Sequence, residues 1–376
     1  GPFLLRDSVR GVACLIFAGY LGFSFYGCIN FREGLNPGNL VTNDHYIAHY
    51  FEDIKQFWKM GPQLHVAVLD PPDLVDRVHR EKLMAVVRAF EDTEYTMGRE
   101  GTVFFLLEYL NYLEQLDAEL DDSDHLWNVK LRSWLKYTGG ASQWACDIRY
   151  NKTDNSFVAY RFQIAMKKIV EPNEHKLAAK LLRQIADRQP FNVQIYYEAF
   201  PFADQYLIIL PATIQNVGIS LACMTIVSVL LVPSLPSGAI IFFSIVSINV
   251  GVFGFMTLWG VNLDAVSMIS IIMSIGFAVD LSAHIVYAFV TSHGDSKQRV
   301  IGALEALGWP IFQGATSTIC GISILYTVDA YIILTFFKTI WLTMFIGAVH
   351  GLFFIPVLLS FVPVAFFRIP KITELH

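Results

Sequence analysis

The segment GFAVDLSAH, residues 276–284, places an acid and an imidazole inside a long apolar run of the chain. That run extends from about Ala265 to Val290, and roughly 20 apolar residues suffice to cross a bilayer. An ionisable group at membrane depth costs about 2.5 to 3.5 kcal/mol and usually faces a helix bundle or a wet pathway. Helical spacing puts Gly276, Asp280 and His284 on one face. Gly276 is therefore expected to let a neighbouring helix approach closely, and Asp280 and His284 are expected to pass or share a proton; the alternative is a polar pair that only joins helices.

The composition indicates a chain with both membrane-embedded and water-exposed regions. Hydrophobic residues make up 54% of its 376 residues and charged residues 16%, which is too apolar for an ordinary soluble domain. The net charge of −6 leaves no concentrated basic face for nucleic acid. The sequence also lacks a P-loop, a GxSxG elbow and an HExxH motif. We therefore exclude a nucleic-acid-binding protein and do not expect an enzyme.

Hydropathy and turn residues divide the chain into four predicted regions. They are a first membrane span at 1–29, a water-facing domain at 30–205, a second membrane block of about five spans at 206–367 and a tail at 368–376. The positive residues that flank the spans fall on one side of this layout: Arg6, Arg10, Lys297, Arg299, Arg368 and Lys371. Because Lys and Arg tend to stay in the cytoplasm, the tail is predicted to be cytoplasmic and the 30–205 domain extracellular or lumenal.

The second membrane block contains further polar residues at predicted membrane depth. Its spans are predicted at 212–232, 238–259, 265–290, 309–328 and about 340–366. Within them, the candidates for a relay or for polar helix packing are Asn249, Thr316, Thr318 and His350.

The water-facing domain shows two strand-helix-strand patterns separated by an insertion. Strands are predicted at 63–69, 94–97, 158–166 and 192–199, and helices at 73–91, 103–120, 125–136 and 173–188. This order fits a split βαβ sandwich of ferredoxin type. The predicted fold class is thus a polytopic α-helical membrane protein with an α+β, ferredoxin-like extracellular domain.

Two patterns in this domain suggest modification or metal binding. Asn151-Lys-Thr153 is an N-glycosylation sequon in a polar loop, and its predicted placement outside the cytoplasm makes Asn151 the expected glycan site. His45, His49 and Asp53 fall on one helical face at a spacing that could hold zinc, but a solvated helix face gives the same pattern. We therefore predict a glycan and no metal site.

The five cysteines divide between two environments. Cys14, Cys223 and Cys320 lie in apolar spans and are predicted to be reduced core residues. Cys28 and Cys146 lie on the predicted outer side, where oxidising conditions permit a disulfide between them. A bond from one of them to another segment is the alternative.

Three motifs occur in the order and spacing of neighbouring spans: GFAVDLSAHIVYAF, EALGWPIFQGATSTICGISIL and FFKTIWLTMFIGAVHGLFFIPVLLS. A fourth, FADQYLIILPATIQN at 202–216, precedes them. Together they resemble the C-terminal half of Patched-related proteins, which are similar to Niemann-Pick C1, Patched and Dispatched in the resistance-nodulation-division superfamily. The resemblance covers essentially the whole chain but half of the usual protein.

This resemblance implies a twelve-span protein of two pseudo-repeats, of which the chain is the second, spans seven to twelve. In the superfamily, acids on spans four and ten face each other and take part in proton or cation coupling, and Gly276 and Asp280 match the span-ten GxxxD/E pattern. The implied partner is the N-terminal half of the same protein, spans one to six, which also holds the sterol-sensing domain. No cofactor is implied beyond bound sterol or phospholipid and a coupling proton or sodium ion.

Two functions fit the resemblance. The first is a transporter of sterol or another lipid, with a proton or cation gradient coupled through Asp280. The second is a lipid- or sterol-responsive receptor or scaffold that binds without transporting. Either would be a multi-pass glycoprotein of the plasma membrane, with endosomal membranes as the second location.

Overall fold

The structure is a computed structural model that describes residues 2–35, 37–42, 44–57, 61–116, 124–151, 153, 156–169, 171–232, 234–363 and 366. The chain forms two compact units. The sheet unit is Tyr50–Leu207, and the membrane unit combines Gly1–His49 with Ile208–His376.

The helices in chain order are α1 (Asp7–Ile29), α2 (Tyr46–Phe57), α3 (Arg77–Glu91), α4 (Phe105–Gln115), α5 (Asp124–Tyr137), α6 (Gly140–Gln143), α7 (Pro172–Asp187), α8 (Phe200–Leu231), α9 (Leu235–Leu258), α10 (Ala265–Thr291), α11 (Ser296–Ser323), α12 (Tyr331–Val349) and α13 (Ile355–Phe361). The strands are β1 (Gln63–Leu69), β2 (Thr102–Val103), β3 (Ile148–Tyr150), β4 (Phe157–Ala165) and β5 (Asn192–Tyr196). A π-helical turn, His350–Phe354, joins α12 to α13.

An antiparallel sheet organises the sheet unit. The strand order is β2-β4-β1-β5, and β3 also pairs with β4. In the central pair, Gln63 of β1 lies opposite Ala165 of β4, and Leu69 lies opposite Ala159. Because β1 and β2 both run antiparallel to β4 between them, they run parallel to each other, and α3 lies in the connection between them.

One face of the sheet carries the core of this unit. Leu64, Val66 and Val68 alternate along β1 with half-buried neighbours, which is the period of a strand with one covered face. Helices α3, α4 and α7 supply the side chains that pack on the same core, among them Leu83, Val87, Phe90, Phe105, Tyr109, Ala178 and Leu182. Full burial of a large apolar side chain contributes about 1.5 to 3 kcal/mol, so this one-sided packing sets the strand register.

The strand predicted at 94–97 was wrong. Thr96 makes only an isolated bridge with Met166, and the edge strand β2 lies further on, at Thr102–Val103. The reason is local: Thr96 Oγ1 donates to Phe90 O at 2.8 Å and so binds a carbonyl at the end of α3. A threonine side chain that bonds the backbone in this way competes with a strand ladder.

The other predicted elements of the sheet unit are present with shifted ends. Strand β1 has the predicted bounds, while β5 ends at Tyr196 because α8 begins soon after, at Phe200. Helix α7 begins with Pro172 after a capping box in which Glu171 and Glu174 satisfy each other's backbone N–H groups. The predicted helix at 103–120 begins at Phe105 and ends at Gln115, and 117–120 lies outside the described residues.

Five helical segments in the described part of the chain are long and apolar enough to cross a membrane. They are Asp7–Ile29, Phe200–Leu231, Leu235–Leu258, Ala265–Thr291 and Tyr331–Phe361. Helix α11 is not among them, and its first turns carry Lys297, Arg299 and Glu305. The bounds predicted for a span at 309–328 were therefore wrong, because one helix runs from Ser296 to Ser323. The last predicted span likewise begins earlier, at Tyr331.

Helices α1 and α9 cross at two glycines. A Cβ placed at Gly27 would lie 2.1 Å from Gly254 O, and a Cβ at Gly254 would lie 2.2 Å from Ser24 O. Both distances are far shorter than a van der Waals contact, so only glycine permits this approach. Close packing of α1 thus occurs at Gly27, whereas Gly19 and Gly22 have no described atom within 4 Å of a Cβ.

The start of α10 is fixed by a buried acid. Asp264 Oδ1 accepts from Ser267 N at 2.8 Å, and Ser267 Oγ accepts from Asp264 N at 2.8 Å, which makes a capping box. Tyr331 at the start of α12 donates to Asp264 Oδ2 at 2.8 Å. The first turns of α10 and α12 are therefore held together, which sets where Asp280 lies further along α10.

Candidate functional site in the membrane helices

Asp280 and His284 lie on an exposed face of α10. The exposed stripe consists of Met273, Phe277, Asp280, His284 and Tyr287, which follow one another at helical spacing. Neither Asp280 nor His284 forms an ion pair with a residue that the structure describes. No hydrogen bond joins the two side chains, so the predicted proton exchange between them has no direct path in this arrangement.

Gly276 is half-buried beside this stripe. It was predicted to let a neighbouring helix approach, but no described atom lies within 4 Å of a Cβ placed there. Within the described chain, the close approach to α10 occurs on another face instead. A Cβ at Gly351 would lie 2.8 Å from Leu281 O, and one at Gly347 would lie 2.4 Å from Leu281 Cδ1. Leu281 thus packs on the α12 side, and the adjacent Asp280 is directed away from it.

The covered faces of α9 and α10 carry paired polar side chains. Ser274 Oγ donates to Asn249 Oδ1 at 3.0 Å, and Asn249 Nδ2 donates to Ile245 O at 2.8 Å. One to two turns further, the Ser282 and Ser244 hydroxyls lie 3.0 Å apart. All four polar side chains are buried. Asn249 thus takes part in a hydrogen bond between α9 and α10, and hydrogen bonds of this kind join helices in lipid.

His350 lies at the point where three segments meet. Its Nε2 lies 2.9 Å from Ser247 Oγ, and its Nδ1 lies 2.9 Å from Ile346 O. A carbonyl can only accept, so Nδ1 carries the proton and Nε2 accepts from Ser247. Tyr20 of α1 donates to Ser247 O at 2.7 Å and packs edge-on against the imidazole, with ring centroids 5.3 Å apart.

The imidazole opens the π-helical turn between α12 and α13. A π-turn inside an α-helix is rare, and those that occur are often found at functional sites. Its place here is next to Gly351, where α10 approaches most closely. His350 is therefore a buried, satisfied histidine that joins α1, α9 and α12.

Thr316 and Thr318 do not join this network. Thr316 is exposed, and the Thr318 hydroxyl donates to Gly314 O of its own helix at 3.0 Å. Ile311 and Ala315 occupy the buried face of α11, so the two threonines, which were candidates for a relay or for polar packing, lie off that face. Neither threonine touches the polar pairs of α9 and α10.

The cysteine predictions also need correction. Cys14, Cys223 and Cys320 are free but exposed, so they are not core residues of this chain. Cys28 and Cys146 are free thiols as well, and the Cys28 thiol donates to Val250 O at 3.5 Å. Cys28 belongs to the membrane unit and Cys146 to the sheet unit, and a disulfide between them stays a prediction.

The sequon lies in a turn after β3. Asn151 Oδ1 accepts from Thr153 Oγ1 at 2.7 Å and from Thr153 N at 3.1 Å, while Thr153 is exposed. The two residues that define the sequon are therefore in direct contact. Among the residues that the structure describes, no group of three or more His, Cys, Asp or Glu side chains could hold a metal ion.

Sequence reasoning missed the serines of the network. Ser244 and Ser247 on α9, and Ser274 and Ser282 on α10, lie within apolar runs and were not singled out. Their signal was present: on α10 the small polar residues Ser267, Ser270, Ser274 and Ser282 recur at helical spacing on the side away from Asp280. Small residues at such spacing mark helix interfaces in membranes.

Comparison with known proteins gives consistent relatives. The chain is 29% identical over 358 residues to Patched-related protein 9 of Caenorhabditis elegans. The alignment covers 94% of this chain and 41% of that protein. It is 35% identical over 429 aligned positions to NPC intracellular cholesterol transporter 1 of Sus scrofa, covering 96% of this chain and 33% of that protein. A Niemann-Pick type C1-related protein of Toxoplasma gondii is 24% identical, with 96% and 30% covered. No protein-family model matches the chain.

The chain therefore spans well under half the length of the curated relatives it matches. Nearly all of it is covered by each of these alignments, and five of its helical segments can cross a membrane. Both findings agree with the resemblance seen in its motifs. The chain is part of a multi-pass membrane protein, and it belongs with the Patched-related and Niemann-Pick C1-like proteins.

Proposed function

We propose that the chain is the C-terminal half of a transporter that moves sterol or another lipid, with a proton or cation gradient coupled through Asp280. The observation that carries this proposal is the exposed stripe of α10, where an acid and an imidazole lie within a membrane-spanning helix. A charge exposed to lipid is costly, so such a residue faces another helix or a wet pathway in the assembled protein. One relative carries the name of a cholesterol transporter, which supports lipid as the substrate class.

The occupant of the exposed stripe is a helix of the N-terminal half, spans one to six. Gly276 leaves open space beside Asp280, which suits close approach of a second helix. The resemblance supplies an acid on span four for this position. Two carboxylates facing each other cannot both ionise easily, so the pair would take up a proton or a cation. In this arrangement His284, one turn from Asp280, tunes the coupling and does not carry it.

The sheet unit is assigned to the ferredoxin type of the family ectodomain. The support is its strand order, β2-β4-β1-β5, in which β4 separates the parallel strands β1 and β2, as in a split βαβ unit. On this assignment the sheet unit lies outside the cell if the protein is in the plasma membrane, and in the lumen if the protein is in an endosomal membrane. Spans seven to twelve of the family layout would then include α11 as the sixth membrane helix beside the five apolar segments.

A lipid-responsive receptor or scaffold is the second candidate function, and lipid flux distinguishes the two. We expect the full-length protein, reconstituted in vesicles, to move a fluorescent sterol or phospholipid faster when a proton or sodium gradient is imposed. A receptor would bind the lipid to the same extent and show no gradient-dependent flux. Equal flux with and without each gradient would contradict the coupled transporter.

Glycosylation tests the proposed orientation independently. We expect Asn151→Gln to remove a glycosidase-sensitive gel shift, because the Asn151 and Thr153 side chains form one exposed turn. The control is Thr153→Ser, which keeps both the sequon and a hydroxyl and should keep the shift. A shift that persists in Asn151→Gln would contradict the site. His293 lies in the loop between α10 and α11, which this orientation places in the cytoplasm. Labelling of that loop by an impermeant reagent on intact cells would contradict the orientation.

A further inference from the structure

A narrow cleft opens beside the start of α1 in the membrane unit. Its volume is about 140 Å³, and it is lined by residues of α1, α9, the π-turn and α13, including Cys14, Phe17, Phe243, Phe354 and Phe361. We refer to it as the α1 cleft. Its lining is almost entirely apolar. His350 also borders it, but both ring nitrogens of His350 already take part in hydrogen bonds.

The size and lining of the α1 cleft restrict what it can hold. Sites for complete drug-sized ligands measure roughly 300 to 1,000 Å³. A cleft of about 140 Å³ is too small for a fused ring system but has room for a stretch of hydrocarbon chain. Among the described residues of its wall, the polar side chains are Ser244 and His350, and Ser244 is hydrogen-bonded to Ser282. The part of a ligand that occupies the cleft would therefore make apolar contacts there.

Arg10 lies at the mouth of the α1 cleft. Its guanidinium is 3.8 Å above the ring of Phe361, which lines the cleft, and Ala13 and Cys14 line it one turn along α1. The Arg10 side chain is only 12% exposed, and its Nε is buried with no hydrogen-bond partner among the described residues. Its ion-pair partner, Asp7 at 3.1 Å, has an 89% exposed side chain. Among the described residues, this mostly buried guanidinium is thus paired with a solvated carboxylate, which is a weak partner, and its Nε has no acceptor.

We propose that this place binds an anionic phospholipid, with the lipid phosphate on Arg10 and part of one acyl chain in the α1 cleft. Arginine presents a planar fork of donors that matches phosphate oxygens, and basic pockets at the ends of membrane helices bind anionic head groups. The apolar cleft and the cation lie next to each other at the end of a membrane-spanning segment, in the order that a phospholipid requires. The site is separate from Asp280 and does not depend on transport.

Thiol labelling of the full-length protein, purified in detergent, tests this site with internal controls. Cys14 lines the α1 cleft, whereas Cys223 and Cys320 are exposed elsewhere on the helices. We expect added phosphatidylglycerol to slow maleimide modification of Cys14, read by peptide mass spectrometry, while the rates at Cys223 and Cys320 stay the same. Phosphatidylcholine should protect Cys14 far less, because its choline cation offsets the charge of the phosphate that Arg10 would bind.

Variants of the two N-terminal arginines separate the site from general attraction. Arg10→Gln should raise the phosphatidylglycerol concentration needed for half-protection about fivefold, the equivalent of one basic residue near an anionic lipid. The matched control is Arg6→Gln, because the Arg6 guanidinium lies over Phe3 at 5.6 Å and not over the cleft residue Phe361. That variant should leave the concentration unchanged. Elution of each variant on gel filtration at the position of the parent chain checks folding.

Three outcomes would overturn the proposal. Equal protection by phosphatidylcholine would show that the head group is not recognised. Protection of Cys14 by cholesterol and not by phosphatidylglycerol would assign the cleft to a sterol. Equal slowing of Cys14, Cys223 and Cys320 would mean that lipid covers the helices without a site. As a second readout, Cys14→Trp should fill the cleft and reduce the phosphatidylglycerol retained by the chain in native mass spectrometry.

Discussion

Asp280→Asn should abolish gradient-dependent lipid flux in the full-length protein while leaving its folding and delivery to the membrane intact. Asparagine keeps the shape of the side chain and its hydrogen bonding but cannot gain and lose a charge. Folding should survive because Asp280 forms no ion pair with the described residues of this chain and lies on the exposed stripe of α10. The measurement is flux into proteoliposomes across pH and sodium concentration, normalised to reconstituted protein.

Two further variants distinguish coupling from helix joining. His284→Gln should shift the pH or ion dependence of flux with a smaller loss of rate, because His284 lies one turn from Asp280 and acts as a neighbour. If Asp280 only joins helices, Asp280→Asn should keep normal flux, whereas Asp280→Leu should misfold by leaving a partner unpaired. Normal flux in Asp280→Asn would therefore end the coupling hypothesis.

Gly254→Ala should lower the stability of the membrane unit markedly, although alanine is the better helix former by about 1 kcal/mol. The added methyl group would lie 2.2 Å from Ser24 O, so α1 and α9 would have to separate. Overpacking of this kind costs about 1 to 3 kcal/mol, and more where backbone must move. We expect a lower midpoint of thermal unfolding, measured by the loss of monodisperse protein on gel filtration after heating.

The matched control is Gly22→Ala on α1. No described atom lies within 4 Å of a Cβ at Gly22, so the same change should be neutral or slightly stabilising there. Gly27→Ala should behave like Gly254→Ala, because its Cβ would meet the Gly254 carbonyl. An unchanged midpoint in both contact variants would show that α1 and α9 do not cross as described.

The strands and helices that bury one face were the part of the fold that the sequence predicted best. Strand β1 has the bounds predicted for it, 63–69, and its buried residues Leu64, Val66 and Val68 alternate as one covered face requires. The strand predicted at Thr96 failed because a side-chain hydrogen bond to the end of α3 replaces ladder pairing there. Hydropathy does not register a contact of that kind.

The candidate site was predictable in its charged residues and not in its polar network. Asp280 was found because a carboxylate contrasts with its apolar surroundings, and so was His350. The serines were not, since Ser247 becomes significant only when His350 of another helix lies 2.9 Å away. Thr316 and Thr318 failed for the opposite reason: helical phase alone did not show which face of α11 is covered.

The π-helical turn at His350–Phe354 has a consequence for comparing this chain with its relatives. A π-turn holds one residue more than an α-turn, and one residue corresponds to about 100° around a helix axis. Relatives whose corresponding helix is uninterrupted would need a one-residue gap at this turn to keep Ile355 and Leu359, which are buried here and lie one turn apart, matched with residues of their own buried face. An alignment without that gap would match the core positions of α13 with lipid-facing ones, and it would underestimate the kinship of the last membrane segment.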